Sequence, residues 1–305
     1  MTYSIVALDA ASGDLGVGVQ THQPAVGAIV PWISPGVGAV ATQAMVNIDL
    51  GPRSLALLER GLDAGQALSA VLAADSGAAI RQLAIVDAGG NAAAHTGDET
   101  IPSAGHRTGS GYSVQANMMR NDTVPAAMAD AFQAATGHLA QRILAALDAA
   151  EAEGGDMRGR QSAAILVRPP DPTHVDHTWD LRVDNDPETL RKLRELVDIR
   201  LAGQLLDQLQ EQAQAAPDGD PLRPEQARAL ALAAFAQVEA LHQSDEQTFW
   251  FAVTALANTL ADLDGAAEML TPLFERAPQW RILLHRLQEP VANADLAARF
   301  PLPKD

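Results

Sequence analysis

Short apolar runs with period-two alternation fill the first part of the chain. SIVAL and LGVGVQ are separated by DAASGD, whose Asp, Ser and Gly residues are typical of hairpin turns. GAIVPWI and VGAVATQ form a second pair around Ser34-Pro35-Gly36. Four short strands joined by short turns predict an antiparallel sheet, because hairpin-length connections join antiparallel strands.

Helical periodicity alternates with further strand runs. Gly51-Pro52 opens a helical stretch, and strand patterns return in AIRQLAIVD, NAAAHTG and YSVQANM. Residues 123–135 and 138–152 have apolar residues at helical spacing and are followed by two more strand candidates, QSAAILV and WDLRV. This order predicts an α+β fold, an αββα sandwich of two antiparallel sheets stacked face to face and flanked by helices.

The end of the chain is predicted to be helical. A helix begins at Asp186-Pro187 and continues to about Gln214, so the αββα domain covers residues 1–214. Residues 215–221 (AAPDGDP) have the composition of a linker. A small all-α domain then covers residues 222–305, with helices expected at 224–243, 245–262, 265–276 and 279–287.

One segment of this second domain, residues 247–280, resembles a tetratricopeptide repeat. Trp250, Ala266 and Pro278 match the signature tryptophan, alanine and proline of that repeat, whereas Thr254 and Ala257 replace its usual glycine and tyrosine. One repeat cannot bury its own apolar face, so we expect it to pack on neighbouring helices or on the first domain.

Composition narrows the function classes. The formal charge is −17, from 21 basic and 38 acidic residues, so binding to a nucleic-acid backbone is not expected. The absence of cysteine excludes disulfides, thiolate metal sites and thiol nucleophiles. Residues 15–48 carry no charge, but their prolines and their alternation favour buried strands over a membrane span. The sequence MTYSIVALDA lacks a basic region of the secretory type, so we expect a cytoplasmic protein without a membrane partner or cofactor.

The best candidate nucleophile is Thr2. Removal of Met1 would give Thr2 a free α-amino group, whose reference pKa of about 7.7–8.0 suits a general base for its own hydroxyl. The alternative is that Thr2 is only a β-favouring residue at the start of a strand. Ser4, on the same strand face, is the fallback nucleophile, although it lacks the free amine.

The first part of the chain resembles N-terminal nucleophile hydrolases of the proteasome type, and residues 2–200 resemble a bacterial family called domain of unknown function 1028. The latter resemblance is carried by TYSIVALD, LGVGVQTH, GVGAVATQAMVN, YSVQANM, GGDMRGRQSAAILV and DLRVDNDP. It implies the N-terminal nucleophile fold. It also implies an extra C-terminal module, sometimes described as a peptidoglycan binder, at the place of residues 217–305.

Proteasome-type proteins support their threonine with an Asp on the second strand and a Lys on the next pair of strands. Here the second-strand position falls at about Gln20, and the two lysines of the chain are Lys192 and Lys304. A lysine-assisted mechanism is therefore excluded. The α-amino group remains as the base, with amide side chains as orienting groups and oxyanion donors.

Amide side chains at strand ends are the candidates for these roles. We assign Gln20 and Asn117 to catalysis with Thr2, and we assign substrate contacts to Gln43, Asn47 and Gln115. The alternative for each of them is a buried amide that satisfies backbone groups of a loop.

A charged cluster and several histidines complete the candidates. Arg158 and Arg160 can hold a substrate carboxylate with Asp156 orienting one guanidinium, or the cluster is a structural ion pair that fixes a turn. His22 either orients substrate or is a satisfied strand-end residue. The pair His174 and His177 invites a metal interpretation, but its Pro-rich surroundings favour a solvated turn, and we expect no metal.

Together these features predict an N-terminal nucleophile amidohydrolase that acts on a small amide or acyl substrate bearing a carboxylate. The alternative is a non-catalytic ligand-binding or scaffold protein on the same fold, whose helical tail binds a partner or a cell-wall fragment. A metal-dependent hydrolase is a further rival. We also expect a homo-oligomer, namely a dimer.

Overall fold

The computed structural model describes residues 2–174, 177–214, 246–260, 263–287 and 291–302, together with isolated positions between 229 and 236. Its contacts divide the chain into two units, Met1–Arg194 and Glu195–Asp305. The division falls within the helix that was predicted to close the first domain at residue 214. The reason is that Ala202 and Leu206 of this helix pack into the apolar core of the second unit.

The prediction of two antiparallel sheets is confirmed, and ten strands form these sheets among the described residues of the first unit. Sheet A has six strands in the order β10-β9-β2-β1-β8-β7, and sheet B has four in the order β3-β4-β5-β6. The strands are β1 Thr2–Leu8, β2 Leu15–Thr21, β3 Pro31–Ser34, β4 Gly38–Ala44, β5 Arg81–Asp87, β6 Ala92–Thr96, β7 Gly105–Gly109, β8 Tyr112–Asn117, β9 Ser162–Arg168 and β10 Trp179–Val183.

The helices of this unit lie on the two sheets. α1 (Leu50–Glu59) and α2 (Ala64–Ala73) pack on sheet B, whereas α3 (Val124–Ala134) and α4 (Leu139–Ala152) pack on sheet A. The stretch predicted to be helical after Gly51-Pro52 is two helices. The break occurs because Gly61 has a φ of +91° and Asp63 begins α2 with a capping box.

Two of the sequence expectations for strands were incomplete. GAIVPWI contributes only its last three residues to β3, since a 3-10 turn at Val26–Ala28 precedes them. Strand β7 was not predicted because its residues, GHRTG, are partly exposed and carry no apolar alternation.

One cluster of buried apolar side chains lies between the two sheets. Val6 and Val17 of sheet A meet Ala39 and Val86 of sheet B in this cluster. A second cluster joins sheet B to α1 and α2 through Val40, Leu55, Leu68 and Ile85, among others. The strands therefore bury both faces, which explains their nearly continuous apolar sequences.

Glycine allows α4 to approach sheet A closely. A Cβ atom added to Gly16 or Gly18 of β2 would lie 2.6 Å or 2.3 Å from Ile143 of α4. These two glycines leave room for a branched side chain directly above the strand, so α4 packs tightly over the middle of sheet A.

The described residues of the second unit contain the end of α5 (Thr189–Gln214) and four shorter helices. They are α6 (Glu246–Leu260), α7 (Leu263–Arg276), α8 (Gln279–Arg286) and α9 (Val291–Arg299). The predicted helices 245–262, 265–276 and 279–287 correspond to α6, α7 and α8, and α9 was not predicted. The predicted linker 215–221 and helix 224–243 lie outside the described residues, apart from isolated positions of the latter.

This unit has an apolar core of its own. Trp250 of α6 and Ala266 of α7 are both buried there, together with Leu284 of α8 and Leu296 of α9. Pro278 directly precedes α8. The apolar face of α6 and α7 is thus covered by neighbouring helices of the same unit. Within the described residues, no helix is both long and apolar enough to cross a membrane.

We expect Gly18→Ala to lower the free energy of unfolding of the first unit by about 1–3 kcal/mol, because the new methyl group collides with Ile143 in a close-packed layer. Gly65→Ala is the matched control, since Gly65 lies exposed in the first turn of α2. The control should change stability by less than about 1 kcal/mol. Hydrogen exchange of the sheet amides in urea reports on this unit, and equal effects of both substitutions would contradict the packing argument.

Candidate functional site

Thr2 lies at one end of the central strand of sheet A. The strand register places it opposite Thr21 on β2 and opposite Asn117 on β8. Its hydroxyl Oγ1 donates a hydrogen bond to Thr21 Oγ1 over 3.0 Å, and the residue is only 7% exposed. The candidate nucleophile is therefore hydrogen-bonded to a neighbouring hydroxyl and almost completely buried.

Both sheets supply amide groups to the backbone of Thr2. Gln43 Nε2 donates to the Thr2 carbonyl oxygen over 3.3 Å and to Gln82 Oε1 over 2.6 Å. Asn117 Nδ2 donates to the Thr2 carbonyl oxygen over 3.3 Å and to Gln82 Oε1 over 2.9 Å. Two amide N–H donors from opposite sheets thus converge on the backbone of Thr2.

Gln82 links these donors and was not predicted. Its Oε1 accepts from both Gln43 and Asn117, and its Nε2 donates to Thr96 Oγ1 and to the Ala116 carbonyl oxygen, each over 2.9 Å. The signal in the sequence is the same as for Gln43: an amide residue in an otherwise apolar strand. Its position on a different sheet from Thr2 is what the sequence could not show.

Ser4 is more deeply engaged than Thr2. Its Oγ donates to Gln43 Oε1 over 2.7 Å and accepts from Gln115 Nε2 over 2.5 Å, and the residue is fully buried. Gln115 Oε1 in turn accepts from Ser113. We call Thr2, Ser4, Gln43, Gln82, Gln115 and Asn117 the amide network.

Gln20 does not belong to the amide network, which corrects its assignment as a partner of Thr2. It lies opposite Tyr3 and Ala163, so its side chain occupies the other face of sheet A, the face that carries α4. Side chains alternate between the faces of a strand, and the position that faces Thr2 is Thr21 rather than Gln20. The Gln20 amide is buried, and the described residues offer it no hydrogen-bond partner.

The same face of sheet A carries an acidic contact. Tyr3 Oη donates to Glu151 Oε2 of α4 over 2.9 Å. Burial, together with the nearby Glu151 carboxylate, raises the pKa of the Tyr3 phenol well above its usual value. Tyr3 is therefore neutral and serves to anchor α4 beside the strand of the candidate nucleophile.

Asn47 also lies apart from the network. Its Oδ1 accepts from the backbone N–H of Asp49 over 3.2 Å, and its carbonyl oxygen accepts from Thr42 Oγ1 over 3.1 Å. These contacts shape the loop that leads into α1. For Asn47 the structure thus shows the alternative that the sequence left open, an amide that satisfies backbone groups of a loop.

The buried carboxylate of Asp156 lies next to the Thr2 end of sheet A and accepts several hydrogen bonds. Its carboxylate accepts from the backbone N–H of His22 over 3.0 Å and from Arg158 Nη2 over 3.1 Å. Arg160 lies 3.7 Å from Glu151 and 4.0 Å from Glu188, measured between charged atoms. Both arginines of the cluster therefore already carry carboxylate partners from the protein.

Ser162, at the start of β9, and the pair His174 and His177 have structural contacts. Ser162 Oγ donates to the Gln23 carbonyl oxygen and accepts from the Val26 backbone N–H. The rings of His174 and His177 lie 5.8 Å apart. Among the described residues, no group of three or more His, Cys, Asp or Glu side chains is arranged to hold a metal ion.

A hydrogen-bonded ring of loops surrounds the Thr2 end of the two sheets. Met119 pairs with Asp156, and its N–H donates to the Ser103 carbonyl oxygen. The ring continues through Glu99 N–H to Ala79, and through Met45 N–H to Ile80. The loops of this end thus hold one another in place around Thr2.

Residues with a strained backbone are concentrated at the Thr2 end of the two sheets. The non-glycine residues with positive φ in the described chain are Ala25, Ala44, Ser103 and Met118, at 55°, 68°, 56° and 59°. Ala25, Ser103 and Met118 lie in loops at the Thr2 end, and Ala44 is the last residue of β4 at the same end. Strained residues persist where surrounding contacts impose them, and they tend to cluster at functional sites.

Comparison with known proteins gives a family and two solved structures. The model of a family described as "Family of unknown function (DUF1028)" matches residues 2–193. Protein SPO2555 from Silicibacter pomeroyi, described as DUF1028, is 35% identical with a TM-score of 0.59, over 64% of this chain and 87% of that chain. Anbu (ancestral beta-subunit) from Yersinia bercovieri is 12% identical with a TM-score of 0.33, over 73% and 100%. The search of curated proteins found no match.

We expect Gln82→Leu to lower the free energy of unfolding by at least about 2 kcal/mol, because amide donors of Gln43 and Asn117 lose a buried acceptor. Gln161→Leu is the matched control, since half-buried Gln161 contacts one side chain, Asn185, and should cost less than about 1 kcal/mol. Urea unfolding measures both. A Gln82→Leu protein as stable as the control would show that the amide network does not support this end.

Proposed function

This chain belongs to the DUF1028 family, a family of unknown function, and from that premise we propose that it is an amidohydrolase of the N-terminal nucleophile type with Thr2 as the nucleophile. The fold proposed with it is the αββα sandwich of that class. Support comes from two stacked antiparallel sheets with helices packed on each.

The observation that carries the proposal is the convergence of polar groups on Thr2. Its hydroxyl contacts Thr21, and amide donors of Gln43 and Asn117 reach its carbonyl oxygen. Among the described residues that contact Thr2, we assign the neutral amides of Gln43 and Asn117 as donors to a developing oxyanion, because neutral amides can be buried at lower cost than charges. A nucleophile, a hydroxyl that positions it and amide donors are thus present within one network.

The proposed reaction has two steps. With Met1 removed, the α-amino group of Thr2 accepts the proton of the Thr2 hydroxyl, and Oγ1 attacks the carbonyl carbon of the substrate amide. The C–N bond breaks, the proton passes from the α-amino group to the leaving amine, and an ester to Thr2 remains. Water, deprotonated by the same amine, hydrolyses this ester and restores Thr2.

No lysine takes part in this proposal, because Lys192 and Lys304 are the two lysines of the sequence and neither precedes β10. Thr21 occupies the place opposite Thr2 on β2 and acts as a positioning residue for its hydroxyl. The amine of Thr2 is then the base, and its ordinary pKa of about 7.7–8.0 leaves it partly deprotonated near neutral pH.

A substrate carboxylate held by Arg158 or Arg160 remains a prediction from the sequence. The two guanidinium groups are already engaged by Asp156, Glu151 and Glu188, so such a carboxylate has to compete with acidic groups of the protein. We therefore define the substrate by its amide bond. The homodimer, the cytoplasmic location and the tetratricopeptide-like nature of the second unit likewise remain predictions.

A second candidate function is a non-catalytic ligand-binding or scaffold protein, whose helical unit binds a partner or a cell-wall fragment. One observation favours it: Thr2 is almost fully buried, and its hydroxyl proton is donated to Thr21 rather than directed outwards. Attack on a substrate requires the hydroxyl to leave this hydrogen bond first.

A β-lactone, which acylates N-terminal threonines, distinguishes the two functions. For purified protein whose intact mass shows loss of Met1, we expect one adduct at Thr2, located by top-down mass spectrometry. Thr2→Ser should retain the adduct, and Thr2→Ala should lower its yield at least tenfold. Thr108→Ala, at an exposed threonine of β7, is the matched control and should react like the native protein.

Two results would count against the hydrolase. Adduct formation that persists in Thr2→Ala would place the nucleophile elsewhere, with Ser4 as the first residue to examine. A protein with a free Thr2 amine that forms no adduct would favour the non-catalytic alternative.

A further inference from the structure

Exposed apolar side chains of the first unit are concentrated at one end of its two sheets. The large apolar residues that are clearly exposed among its described residues are Met45, Val46, Ile48, Ile101 and Met157, with exposed fractions of 60%, 38%, 43%, 50% and 56%. All five lie in the loops that surround the Thr2 end of the two sheets. We call these five residues the apolar rim.

The opposite end of the sheets has a different character. Its connections include the short turns DAASGD, SPGV, AGGN and GSG, which are rich in glycine and small polar residues, and segment 169–178, whose described residues include three prolines. Isolated exposed apolar residues are normal on a protein surface, but their restriction to one end of the first unit marks that end as a contact surface.

The apolar rim is connected to the amide network through short stretches of chain. Met45 follows two residues after Gln43, which donates to the Thr2 carbonyl oxygen. Met157 follows Asp156, whose carboxylate accepts from the N–H of His22, the residue after Thr21. The rim and the candidate nucleophile therefore lie at the same end of the two sheets, and two rim residues follow closely along the chain after residues that contact Thr2 or the neighbour of Thr21.

Nearby positive charges do not define this surface. Arg81 pairs with Asp75 over 2.8 Å and also donates to the Met45 carbonyl oxygen. The Arg81 hydrogen bond lowers the pKa of Asp75, so the Asp75 carboxylate stays ionised near neutral pH. Arg158 is likewise held by Asp156. Charges of opposite sign compensate each other beside the rim, and the exposed contact groups are apolar.

We propose that the apolar rim binds the acyl chain of the substrate, which makes the substrate class N-acyl amides with an unbranched apolar acyl chain. This proposal rests on the proposed function of Thr2. The amide carbonyl lies at the buried polar groups, and the chain extends outwards along Met45 and Met157. An unbranched chain is favoured because methionine side chains adapt readily to flexible apolar ligands.

The test is a series of N-acyl glycinamides with acetyl, butanoyl, hexanoyl and octanoyl chains. Binding to the full-length Thr2→Ala protein is measured by calorimetry, so no turnover is required. We expect the affinity to rise about two- to fourfold for each buried methylene group. The double variant Met45→Ser, Met157→Ser should lose most of this dependence on chain length, and Met45→Leu, Met157→Leu should keep it.

Ile282→Ser is the matched control, because Ile282 is exposed to a similar extent in the second unit. It should leave the dependence on chain length unchanged. Affinity that does not vary with chain length, or a dependence that survives in the serine double variant, would overturn the proposal. So would rim variants that bind the amides normally but change the oligomeric state in sedimentation, because the rim would then be an interface between copies of the chain.

The two proposals fail in different ways. Binding that depends on the chain, without a β-lactone adduct at Thr2, would retain the acyl-chain site and remove the hydrolase. An adduct at Thr2 without such binding would retain the nucleophile and remove the acyl-chain substrate class.

Discussion

The requirement that buried amides be hydrogen-bonded governs the end of the molecule where Thr2 lies. In the middle of the two sheets, valine and alanine side chains pack without polar contacts. At the Thr2 end, glutamine and asparagine replace them, and Gln43, Gln82 and Asn117 bond across to the facing sheet. Gln82 is central because it accepts two hydrogen bonds and donates others, so the distance between the sheets is fixed by hydrogen bonds as well as by packing.

Much of the fold could be predicted because the strands alternate and the turns are short. The same alternation correctly gave Thr2 and Ser4 one face, and the register brings Asn117 beside Thr2. Gln20 was misplaced because a sequence shows which residues of a strand share a face, but not which residue of a neighbouring strand lies opposite. One position along β2 separates Gln20 from Thr21, and that difference moves the side chain to the other side of sheet A.

Contacts between distant parts of the chain limited the prediction of the site. The pair of Asp156 and Arg158 is local and was visible in the sequence. Arg160 instead contacts Glu151 of α4 and Glu188, which directly precedes α5. Gln82 is likewise far from Thr2 along the chain and reaches it only when the two sheets stack. The loops of the Thr2 end are joined by backbone hydrogen bonds, which leave little trace in residue type.

The amide network is neutral, and this determines how its hydrogen bonds respond to pH and to salt. Amide side chains do not titrate, so the hydrogen bonds of Gln43, Gln82 and Asn117 keep the same donors and acceptors wherever the protein is folded. They also attract no counterions, and added salt screens them little. The amide network itself therefore adds neither a titrating group nor a strong dependence on ionic strength to a reaction at Thr2.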